Sequence, residues 1–446
     1  MLGRLLAPAE FAIYGYTTIG VTVALSIGDL GLGIRLIRGQ ADDLDLRRCL
    51  GVQIAVLALL ASGTGLAMVL FVGGGDRLTV GLIAAAILFT ALQTLPLAML
   101  ERGLAFRAIS LIEVGQRASF ICLAVGLAVA TDNRLAIPLA AVIAAAAGYG
   151  AVLSTSRWRV WPLLGEVRAT LLGVATEWWQ SRVATQLTYA AYPILGGLLF
   201  SAREVGLIVL ALMVTSAPTL LAPLASRAAL PAMAAAGTAT ERLEIFRELF
   251  RALIFLSAPV VTAIFVSADA IAVGAFGQEW RDAGLLIRLE CLTTLAGLML
   301  TPSLPLLFDV FEPRNVKRLF AGWTLAMWVA TPLMAIVAGY LAPSMVNAAL
   351  AFGVVAIIDL RLRSVSPFLL TGELWRPLAW ATVGAGIGAA LAIWIGGLGG
   401  ALVGAAGGLG VYLSGTQYGR NSVNPADLLR ALASGLRAGD APPSIR

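Results

Sequence analysis

Apolar residues run along this chain in long blocks, separated by short polar turns. A membrane crossing takes about 20 mostly apolar residues. Thirteen blocks reach that length, at 9–33, 50–72, 78–100, 108–130, 135–154, 169–199, 204–226, 249–275, 282–308, 318–340, 344–366, 376–395 and 397–414. In lipid, every backbone N–H and C=O must be satisfied within its own segment, which a helix does. The pattern therefore predicts an all-α polytopic membrane protein.

The basic residues orient it. Of 31 Lys and Arg, 23 fall in alternate loops with the block ends that flank them and in the tail, 5 in the intervening loops, and Arg117, Arg182 and Arg288 deeper inside blocks. By the positive-inside rule the 23 face the cytoplasm, as does the C-terminus, and Met1 lies outside. The long segment 228–248 reads as an amphipathic connector between the halves' helices. The polar tail 415–446 reads as disordered.

Composition agrees. The chain is 59% hydrophobic and 13% charged, where a soluble domain carries about 25% charge. Nothing resembles a cleavable signal peptide. A net charge of +6 spread this way sets topology rather than nucleic-acid binding. The absence of His excludes His catalysis and His relays. Cys49, Cys122 and Cys291 are too scattered for a disulfide framework or a metal site. No cofactor is expected.

The chain also repeats itself. In LLAPAEFAIY near the start and LLFSAREVGLI near residue 200, Glu10-Phe11-Ala12-Ile13-Tyr14 lines up with Glu204-Val205-Gly206-Leu207-Ile208. The second copy has a helix before this turn and the first does not, so one helix is expected upstream of Met1. With it, six helices pair with six in the same orientation, and the repeat axis runs along the membrane normal. The expected organisation is an N-terminal lobe over 1–155, lacking its first helix, and a C-terminal lobe over 156–370. Two additional helices follow over 371–414, then the tail. Glycine concentrates in those two helices, as GAGIGAA and GGLGGALVGAAGG, and predicts close packing or a dimer surface. The GAGIGA run lies inside a span with no strand before it and is no dinucleotide loop.

GRLLAPAEFAIYGY, SIGDLGLGIRLIR, SAREVGLIVLA and FGQEWRDAGLLIR, in that order, resemble the polysaccharide-transporter (oligosaccharide flippase, Wzx-like) branch of the multidrug/oligosaccharidyl-lipid/polysaccharide exporter superfamily. The resemblance implies two pseudo-symmetric six-helix lobes around a central cavity, alternating access, and a lipid-linked oligosaccharide on undecaprenyl diphosphate as cargo. The first two helices of each lobe would line the cavity. Membrane lipids and other polysaccharide-assembly membrane proteins would be the partners, in a bacterial inner membrane.

A charge at mid-membrane costs about 2.5–3.5 kcal/mol on insertion scales, so each one is a functional candidate. Arg182 comes 14 residues after Arg168, about 21 Å into the membrane. Trp178, Arg182, Thr185, Gln186 and Tyr189 share one helical face. With the expected cargo, Arg182 would grip the diphosphate through its planar fork, and Gln186 and Tyr189 would meet sugar hydroxyls. The alternative is a hydrogen-bond network between lobes. Glu177 on the same helix would pair with Arg182, accept a coupling ion, or simply mark the membrane interface. Asp29 and Arg35 would form a cytoplasmic entrance for an anionic head group or anchor the helix end. Tyr16 would contact glycan or join an aromatic belt. Arg288 reads as structural, snorkelling outward.

The first functional reading is a flippase in which no bond is made or broken. An alternative is a cation-coupled multidrug exporter of the same fold, which needs a cavity carboxylate such as Glu177. A glycan polymerase or ligase fits less well. By family resemblance such enzymes carry a large periplasmic loop with catalytic Arg or His. Teichoic acid or peptidoglycan precursors would change the cargo and not the mechanism.

Overall fold

The computed structural model of the protein describes residues 7–8, 11–12, 47–48, 50–55, 77–102, 105–131, 135–156, 184, 187–188, 191, 194–219, 238–310, 313–362, 370–395, 404 and 406–414. Helix is the regular structure among them, broken by short turns. Among the described residues, six stretches are long and apolar enough to cross a membrane: Leu78–Leu100, Arg107–Ala130, Ala136–Ser156, Glu244–Val266, Ala283–Leu300 and Asn315–Leu360. The expected multi-pass helical architecture is present. The blocks at 9–33, 50–72 and 169–199 lie largely outside the described residues.

The chain divides into two compact units. One comprises Met1–Leu6, Ala12–Pro193 and Ala431–Arg446, the other Ala7–Phe11 and Ile194–Arg430.

In the first unit, α1 (Arg77–Leu92) and α2 (Thr94–Arg102) divide a block expected to form one helix. The cause is Pro96, which lacks the N–H that would continue the ladder. The carbonyls freed near the break find side chains instead. Gln53 Nε2 donates to Ala91 O at 2.7 Å, and Thr94 Oγ1 donates to the same oxygen at 2.8 Å. Gln93, at the break, donates to Ala145 O at 2.8 Å. That oxygen belongs to α4 (Ala136–Ser156), which packs on α1 and on α3 (Phe106–Thr131). Buried amides thus tie three elements together where leaving them unmatched in lipid would be costly.

The second unit is built around α8 (Ala283–Val310). It packs against α5 (Ala202–Thr219), α6 (Ala239–Val266) and α10 (Ala342–Leu362). Among the buried positions of α10, Ser344, Asn347, Ala351, Val354, Val355 and Ile358 form an i, i+3, i+7 stripe facing its neighbours, and Asp359 is buried beside its end. Helix α6 starts at Ala239, not at 249. Thr238 and Glu241 form a reciprocal capping box there. The segment expected as a separate connector is, over 239–248, the leading turns of this helix. Its amphipathic reading holds: Glu241, Glu244 and Glu248 are exposed, while Phe246 and Phe250 are buried and stacked at 5.8 Å. Residues 228–237 lie outside the described residues.

Helix α6 ends at Val266, short of the expected 275. A short α7 (Ala268–Ile271), a π turn over Ala272–Phe276 and a 3-10 turn over Gln278–Trp280 follow. Helices α9 (Pro313–Ala338) and α10 are joined by one 3-10 turn, Gly339–Leu341, in which Gly339 takes φ 55°. That left-handed conformation suits a residue without Cβ.

The glycine-rich end is packing. On α11 (Leu370–Ile395), a Cβ at Gly384 would come 2.4 Å from Gly408 O, and one at Gly388 2.5 Å from Gly404 O. The helical residues 406–414 therefore cross α11 backbone to backbone. Tyr412 then reaches α6, donating to Phe255 O at 2.6 Å.

Candidate functional site

The expected cavity residues Arg182, Gln186, Tyr189, Trp178, Glu177, Arg35, Asp29 and Tyr16 all lie outside the described residues. Ala184, Thr188 and Ala191, among them in sequence, are described and helical. Thr188 is buried and donates back to Ala184 O at 3.1 Å, the local bond by which a hydroxyl is satisfied inside a membrane helix.

The second unit supplies two features that reading the chain did not single out. The first is a closed cap at its arginine-poor end, where α5 and α8 begin. Ser201 donates its N–H and its hydroxyl to Glu204 Oε2, both at 2.8 Å, and so starts α5. Arg203 then pairs with Asp282 at 3.0 Å and donates to Glu279 O at 3.4 Å, joining α5 to the turn that precedes α8. Both members of the pair are exposed, so its Coulomb energy is small and its role is geometric. Arg288 does turn toward this end, and it meets Asp269 Oδ2 at 2.5 Å. Beneath these charges lies Trp280, 0% exposed. Phe11, 1% exposed, meets it edge-on at 5.4 Å and 85°, and Phe276 lies 6.1 Å away. Pro8 is buried too, its carbonyl so close to α5 that a Cβ on Gly206 would stand 1.7 Å from it.

The second feature is a set of polar side chains inside the unit. Glu290 on α8 is 2% exposed and Asn347 on α10 is 0% exposed. Thr294 on α8 donates to Thr215 O of α5 at 3.4 Å. Glu290 stands seven residues past the start of α8, about 10 Å along it. A signal for it was there: the run LLIRLECLTTL places a carboxylate and two threonines inside an apolar block. Among the described residues, no group of three or more Cys, Asp or Glu is placed to hold a metal ion.

Apolar helices of spanning length, ion pairs held at helix ends and a few polar side chains buried inside the bundle define a multi-pass membrane protein. The family described as "Polysaccharide biosynthesis protein" matches residues 1–284, and the chain belongs to it. Its fold is similar to that of lipid II flippase MurJ in an inward closed conformation. The likeness has a TM-score of 0.63, covers 95% of this chain and 93% of that chain, and comes at 11% sequence identity. No curated protein matches the chain.

Proposed function

We propose that the protein is a flippase that moves an undecaprenyl-diphosphate-linked oligosaccharide, a polysaccharide precursor, across the bacterial inner membrane. The observation that carries this reading is a fold shared with a lipid II flippase over nearly the whole of both chains, in a member of a polysaccharide biosynthesis family. Transport would proceed by alternating access, with lobes 1–155 and 156–370 rocking about a common axis. The C-terminus would be cytoplasmic, as the arginine distribution argues.

Within this reading Arg182 holds the diphosphate, with Trp178, Gln186 and Tyr189 on the same face toward the sugars. Arg35 and Asp29 stand at the cytoplasmic entrance and Tyr16 toward the outer side. Glu177 stands between pairing with Arg182 and taking a coupling ion. The test is Arg182→Ala in cells that make the glycan. A charge-assisted contact is worth about 1.5–3 kcal/mol. Surface glycan should fall by at least about tenfold, with lipid-linked precursor accumulating and protein level unchanged. Undiminished output would remove Arg182 from the site.

One observation favours an ion-coupled form of the same activity. The carboxyl of Glu290 is buried within a span, where a charge is costly and is retained for a use. On this reading Glu290 exchanges a proton or a cation during the cycle.

A further inference from the structure

Residues Ala7–Phe11 open the first copy of the repeated turn, yet they pack as part of the second unit, and the chain passes into the first unit at Ala12. Their seat is specific. The Pro8 carbonyl occupies the space that a side chain on Gly206 would fill. In the aligned turns, Gly206 is the counterpart of Ala12, so the second copy lacks the one methyl that would block the first. Phe11 fills the face of Trp280, and both rings are sealed from solvent. Trp280 itself sits on irregular chain, the π turn and the 3-10 turn between α7 and α8. Such turns recur at functional positions because their hydrogen bonds rearrange more easily than those of an α-helix.

We propose that Pro8 and Phe11 anchor a detachable strap, seated against Gly206 and Trp280 when the outer side is closed and withdrawn when it opens. The inference rests on the transport reading, and it adds the element that must let go. The chain leaves the strap directly into the other unit, so motion of that unit pulls on Phe11. The pull acts on an aromatic contact that can separate and re-form without breaking a covalent bond or stranding a charge.

The test uses the full chain with Cys49, Cys122 and Cys291 replaced by serine. Phe11→Cys and Trp280→Cys are introduced singly and together, and cells are treated with a short, thiol-cleavable bis-methanethiosulfonate. The strap predicts that the pair is bridged, that surface glycan then falls to background, and that a reducing agent restores it, while each single variant exports before and after treatment. Bridging that leaves export unchanged overturns the strap and makes the segment a permanent anchor. Failure to bridge overturns the seat. Should the paired cysteines abolish export by themselves, hydrogen exchange of the unsubstituted chain decides. Amides 7 and 9–12 must exchange at least about tenfold faster than amides 205–211 of α5, and equal protection overturns the strap. Absence of export in the unsubstituted parent would sink the transport reading instead and leaves the exchange measurement to judge the strap.

Discussion

At the scale of single residues, the tightest contact in the second unit is one that a methyl group would break. Gly206→Ala puts a carbon where the Pro8 carbonyl lies. Overpacking of this kind costs about 1–3 kcal/mol. Purified in detergent, the variant should unfold at a lower temperature than the parent, whereas Gly297→Ala, where a Cβ meets nothing within 4 Å, should not. Glu290 offers a second test. Glu290→Gln keeps the shape and removes the titratable group, so the protein should fold normally. If Glu290 carries the coupling ion, export should fall at least about tenfold, because one charge-assisted interaction of about 1.5–3 kcal/mol is lost, and what remains should no longer respond to an imposed pH or cation gradient. A normal response would make Glu290 a packing group. In the sequence Arg182 and Glu290 are alike charges in apolar blocks, and for Glu290 the structure adds its burial. Both have polar companions on one helical face, Thr293 and Thr294 at i+3 and i+4 in the case of Glu290, but Glu290 follows within a turn of Arg288, whose side chain reaches Asp269 toward the end of the span.

At the scale of helices, hydropathy located the blocks and misplaced some of their ends. The apolar run of α6 begins near 249, but the helix begins at Ala239 because Thr238 and Glu241 cap it. That signature, Thr-Ala-Thr-Glu, was visible in the sequence and lay outside the apolar window. Thr238→Ala should cost about 1 kcal/mol and raise amide exchange over the first turns of α6 while leaving α8 unchanged. The break between α1 and α2 follows from Pro96, but Gln53, which donates to the Ala91 carbonyl there, comes from elsewhere in the chain, and no local pattern announces it. The glycine-rich helices were open to two readings, packing or a dimer face. Gly384 and Gly388 are filled by the backbone of 404–408 within the same chain. Gly384→Val should therefore lower the yield of folded monomer, measured by size exclusion, because the two helices can no longer meet.

At the scale of the whole molecule, what survived from sequence to structure is what the membrane imposes: helices, their approximate count per stretch and their short connections. Charged residues at span ends and apolar residues within them are dictated by the solvent, so they are legible without a partner. The Phe11–Trp280 contact joins positions far apart in the chain, and neither residue carries a local pattern that betrays the other. The same logic predicts that the two additional helices are integral to the second unit. Helix α11 packs along α6, and Tyr412 closes on Phe255. A chain ended at Leu362 should leave that face of α6 bare and fail to accumulate in membranes, as read by immunoblot, whereas one ended after Ser414 should accumulate normally.

The turn between α9 and α10 bears on how the chain is made. Three residues, Gly339 to Leu341, are too few to let one helix settle in lipid while the next is still being synthesised at a distance. The 46 residues from Asn315 to Leu360 must leave the insertion machinery as a single hairpin. A ribosome halted just beyond Leu341 would hold a helix whose natural neighbour does not yet exist, and the cell's quality control would see an orphan.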